Sequence, residues 1–158
     1  MRRPIVFAAL AGMLMLGSTA SADEVRFRGA FTLTSIKNCL ARYVGETFNS
    51  AFRPANVGDN PNVTSLSQLN QYSGDVYELA GANFSLNRWI PVKANGIDNL
   101  SYSFNARVLL KKQTPAAINP ATEYLTLTGY IENMGNDPGV GGKLCVAGFR
   151  AAFFRRIE

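Results

Sequence analysis

The 158-residue chain has no histidine and only two cysteines, Cys39 and Cys145. Without histidine, Ser-His-Asp and Cys-His catalysis, histidine general-base chemistry and the usual zinc and copper ligand sets are excluded. Two cysteines so far apart make no CxxC redox pair and, without other ligands, no cysteine metal site. The chain also lacks an apolar run long enough to cross a bilayer as a helix, which takes about 20 residues; its longest apolar stretch, Ile5–Gly17, is shorter. Helical periodicity is nearly absent. Only Leu40–Phe52, with Phe48 and Phe52 four residues apart, admits one short helix, near 40–52.

Arg2 and Arg3, the apolar run after them and the small residues Ala20, Ser21 and Ala22 have the order of a secretory leader over 1–22. That reading leaves a single domain over 23–158 and places the protein outside the cytoplasm, in a periplasm or beyond. The formal charge of +5 falls to +3 when Arg2 and Arg3 leave with the leader. So small an excess, spread along the chain, is no nucleic-acid footprint. In an oxidising compartment Cys39 and Cys145 are expected to form one disulfide, tying the last strand to an early one.

What the chain has in abundance is period-two alternation. Cys145, Ala147, Phe149, Ala151 and Phe153 share one face of a terminal strand over 144–154. Val25, Phe27, Phe31 and Leu33 do the same near the start, and Leu100–Leu110 and Glu123–Glu132 are two further long runs. Shorter strands are expected at 65–69, 75–80 and 83–92, the last with Pro91, which suits an edge. Residues 35–38 read as a turn, and 53–65 and 133–142, rich in Asn, Asp, Gly and Pro, as loops. The fold class is all-β: an antiparallel sandwich or a small closed barrel of roughly seven to nine strands. The three final long strands are expected to be consecutive antiparallel neighbours.

Site chemistry is sparse. Asp75 and Glu78, the nearest acids within one element, would face opposite sides of a strand. No catalytic constellation results, and a non-enzymatic domain is expected, with no cofactor and no metal. The Asp59-Asn60, Asp98-Asn99 and Asn136-Asp137 loops are oxygen-rich but match no calcium-loop pattern and read as turns. Aromatics remain. Trp89 beside Arg88, and Tyr124 and Tyr130 on the threonine-bearing face of their strand, are the candidate ligand-binding residues, against the alternative that all three rings pack across strands. The expected partner is a small molecule, a glycan or a protein. The other readings are an envelope or surface assembly subunit that joins by edge-strand addition, and a carboxylate-dependent hydrolase.

Overall fold

The structure, a computed structural model, describes residues 24–40, 42–69, 76–96, 103–134 and 143–156, with backbone alone at 94–96 and 103–104. The expected leader and the Asp98-Asn99 and Asn136-Asp137 loops lie outside the described residues, as does Asp75.

Eight strands follow one another: β1 (Phe27–Lys37), β2 (Thr47–Arg53), β3 (Val63–Leu69), β4 (Val76–Ala82), β5 (Trp89–Gly96), β6 (Ser103–Thr114), β7 (Tyr124–Glu132) and β8 (Val146–Arg155). Each pairs antiparallel with the next, and β8 pairs back onto β1, closing the barrel. Of the two architectures admitted by the alternation, the closed barrel is therefore the one adopted. It is an up-and-down meander in which β6, β7 and β8 are consecutive neighbours.

Three local expectations are corrected. Among the described residues of 40–52 none is helical, and residues 47–53 are β2. Phe48 and Phe52 both point inward with Ser50 between them, and a spacing of four fits period two as well as a helical turn. Residues 35–37 continue β1 instead of turning. A bulge between Leu33 and Ser35 lets both Thr34 and Ser35 face solvent and returns Ile36 to the inner face opposite Ala147. Finally, 83–88 is a loop and β5 starts at Trp89. Asn87 takes a positive φ of 58° and donates its N–H to the Leu110 carbonyl at 2.7 Å, ending the extended run that Phe84 and Leu86 suggest. Nor is β5 an edge strand, since it pairs with β4 and β6. Pro91 is tolerated because the β4 pairing stops at Gly81↔Val92, so no β4 residue stands in register with it to require the N–H it lacks.

The interior is filled with side chains. Phe27, Phe31, Phe149 and Phe153 are fully buried, as are Leu66, Leu79, Leu125, Leu127 and Ile131. Each such residue contributes about 1.5–3 kcal/mol by leaving water. Phe31 stacks on Phe48 at 4.9 Å and meets Phe149 edge-on at 6.0 Å. An eight-stranded barrel is just wide enough for such filling, and at Gly129 the space is tight: a Cβ there would overlap the Leu109 carbonyl oxygen and stand 3.1 Å from the Phe149 ring. Outward positions carry hydrogen-bonding or charged side chains on every strand, among them Arg28, Asn49, Ser67, Glu78, Lys93, Lys112, Thr128 and Arg150. Among the described residues no helix is long and apolar enough to cross a membrane.

Cys39 and Cys145 are joined, with a Cα–Cα distance of 4.4 Å and 106 residues between them in sequence. The bridge lies just past the Lys37↔Val146 pair, at the end of the β1–β8 seam. At the opposite end the loops 54–62, 83–88 and 115–123 surround the barrel mouth.

Candidate binding site at the barrel mouth

Thr64, the second residue of β3, is buried, and its hydroxyl oxygen accepts from Ala55 N–H and from Phe84 N–H, both at 3.3 Å. One side chain thus ties the 54–62 loop to the 83–88 loop. The third loop is shaped by its own bonds. Gln113 donates to the Ala116 carbonyl at 3.0 Å, Asn119 Oδ1 accepts from Ala121 N–H at 2.9 Å, and Thr122 Oγ1 accepts from Asn119 N–H at 3.1 Å. The Thr114–Pro115 bond is cis.

Between these loops lies a pocket of about 510 Å³. Phe52 and Phe84, with Val57 and Ile118, form an apolar floor continuous with the core. Asn56, Asn83, Ser85 and Gln113 supply amide and hydroxyl groups, and Ala116 and Ala117 leave the rim low. Among the described residues no ionisable side chain lines it. Such a site can hold an uncharged molecule with an apolar body and a few polar groups.

The aromatic residues singled out in the sequence lie outside this pocket, on the outward barrel face. Trp89 pairs with Leu109, and Leu109 with Tyr130, so β5, β6 and β7 place the two rings on either side of Leu109, which is only 7% exposed despite facing out. The Arg107 guanidinium lies 5.0 Å from the Trp89 ring, a cation–π contact, and pairs with Glu132 at 3.3 Å. Tyr130 lies against Gly148, where an added Cβ would come 3.3 Å from its ring. Arg88, the last residue of the 83–88 loop, is exposed. Tyr124 stands apart from Tyr130 by six residues of the same strand, about 20 Å at 3.3–3.4 Å per residue, and its ring is 5.1 Å from that of Phe154. The register therefore groups Trp89 with Tyr130 and separates Tyr124.

The chain matches no protein-family model, no curated protein and no solved structure.

Among the described residues no group of three or more His, Cys, Asp and Glu side chains could hold a metal ion. In the Asp59-Asn60 loop, all the bonding of Asn60 is internal to the fold: it accepts from Val25 N–H at 2.7 Å and donates to the carbonyls of Val25 and Pro54 at 2.9 and 2.6 Å. The mouth pocket itself escaped sequence reading because its walls come from three loops distant in sequence. A signal was present: Val57, Phe84 and Ile118 are apolar residues within turn-rich segments, where a merely connecting loop has little use for them.

Proposed function

We propose that this chain is an exported, non-enzymatic binding domain that takes a small, uncharged, amphipathic molecule at the barrel mouth. The observation that carries the reading is the pocket's composition: an aromatic and aliphatic floor, an amide and hydroxyl rim, and no ionisable side chain among the described residues. Export is supported by the leader-like start of the sequence and by the Cys39–Cys145 bridge, a bond that persists in oxidising compartments. Assembly by edge-strand addition is less well supported, because a closed barrel presents no edge to a partner strand.

The test is a screen of neutral sugars, lipids and aromatic metabolites against the full chain, read by thermal shift and by fluorescence of Trp89, the single tryptophan, which follows the 83–88 loop directly. Ala117→Trp fills the mouth from an exposed rim position and should weaken a hit by at least about tenfold, equivalent to 1.4 kcal/mol, with the melting temperature of the free protein unchanged. Asn83→Ala should weaken it less. A hit whose affinity survives both substitutions places the ligand elsewhere and overturns the proposal.

A further inference from the structure

We propose a second binding surface, on the outside of the barrel, that takes an acidic polysaccharide. Tyr124, Phe154, Arg28, Ala51 and Ser67 stand in mutual register on β7, β8, β1, β2 and β3, forming one row across five neighbouring strands. At about 4.8 Å per strand the row is about 19 Å long. It begins with two exposed rings in contact, Tyr124 at 45% and Phe154 at 65% exposure, their centroids 5.1 Å apart. It continues past the exposed Arg28 into a groove of about 430 Å³ whose lining includes Arg28, Asn49, Ala51 and Ser67. A second row, Lys112, Thr128, Arg150 and Thr32, runs parallel to it, four residues further along the strands or about 13 Å away.

The charges of this face are unbalanced. Arg26 and Arg53 are paired with Glu24, and Arg107 with Glu132. Arg28, Lys112 and Arg150 are exposed and have no ion pair among the described residues. Among the described residues, acidic side chains stand at the borders of this face: Glu123, just before Tyr124, and Glu78, opposite Ser67 on β4. Exposed cations that no described acid pairs complement an anionic partner, and arginine in particular matches a carboxylate or sulfate with paired donors.

The remaining features select a sugar polymer among anions. Exposed rings beside hydroxyl and amide groups offer a flat apolar surface for the C–H face of a sugar and bonding partners for its hydroxyls. The small side chains of Ala51 and Ser67, in register with Arg28, leave the groove open across the strands, suited to a chain lying in that direction. An extended acidic peptide would gain its affinity from a sheet edge, and this barrel has none. Nucleic acid calls for a denser basic stripe than three separated cations. The surface shares no lining residue with the mouth pocket, so the two proposals stand or fall separately.

The test measures binding of the full chain to polygalacturonate, alginate and dextran sulfate, with neutral dextran, poly-L-glutamate and a single-stranded oligonucleotide as comparisons, at low and at raised salt. At least one acidic polysaccharide should bind more tightly than poly-L-glutamate and the oligonucleotide, and dextran should not bind. Arg28→Gln and Phe154→Ala should each weaken binding about five- to tenfold, Arg28→Lys should restore only part of the affinity, and Ala117→Trp should have no effect. Phe154 is exposed, so its removal should leave the melting temperature unchanged, and Arg150→Gln gives a second reading of the charge requirement. The proposal is overturned if none of the three polymers binds, if the binding ignores Arg28→Gln and Phe154→Ala, or if poly-L-glutamate or the oligonucleotide binds as tightly.

Discussion

Asn60 holds both main-chain polar groups of Val25, accepting from its N–H at 2.7 Å through Oδ1 and donating to its carbonyl at 2.9 Å through Nδ2. The side chain stands in for a strand partner at Val25, between the Glu24↔Gly58 bridge and the backbone bond from Arg156 to Arg26. Its second Nδ2 hydrogen reaches the Pro54 carbonyl, so one buried amide pins the entering chain to the 54–62 loop. Asn60→Ala leaves these groups without partners and should cost at least about 1–3 kcal/mol in denaturant unfolding. Asn60→Asp, which sets a carboxylate oxygen against two carbonyls, should cost more. Equal stability of all three proteins would mean the amide contributes nothing.

The Cys39–Cys145 bridge closes a loop of about 100 residues, for which chain entropy gives up to about 4.7 kcal/mol. Paired Cys→Ser substitution, or reduction, should lower the melting temperature by on the order of 10 °C while the strand-dominated circular dichroism persists below the transition. A change of a degree or two would show that the β1–β8 pairing alone holds the seam.

Glu24 sits between Arg26 and Arg53, with its bond to Arg53 at 2.9 Å. The hydrogen-bonded Arg26 guanidinium lowers its carboxyl below the ordinary glutamate value, partial burial opposes this, and Arg53 adds to the lowering. A depressed folded-state value means the stabilising contribution is present above the ordinary glutamate value and is lost as pH falls through the lowered one. The wild-type advantage over Glu24→Gln in melting temperature should therefore be full at pH 6 and shrink below about pH 4.5, where unfolded glutamates take up protons. A constant difference down to pH 3 would contradict the ion pairs.

The strands most legible in the sequence were those whose two faces differ most. Leu125, Leu127 and Ile131 point in while Tyr124, Thr126, Thr128 and Tyr130 point out, and β7 begins and ends within a residue of its expected limits. The terminal strand was as plain, for Ala147, Phe149, Ala151 and Phe153 are all buried. Legibility failed where the local pattern served two periods, as at Phe48 and Phe52, or where a bulge reset the faces, as between Leu33 and Ser35. It failed also for both proposed sites, for a different reason. The mouth pocket and the Tyr124–Ser67 row are products of register, and register depends on which strands become neighbours, a long-range fact that no window of sequence contains.

The bridge also decides how the barrel bears tension. Arg26 and Arg156 are joined by a backbone hydrogen bond at 2.9 Å, and the β1–β8 seam runs from there to Lys37↔Val146. Traction applied at these two adjacent residues loads the seam as a zip, breaking its bonds in succession rather than all at once in shear. The tear runs the length of β1 and then meets a covalent link. From Cys39 the force crosses directly to Cys145, and every residue between them, the mouth loops included, is left off the load path.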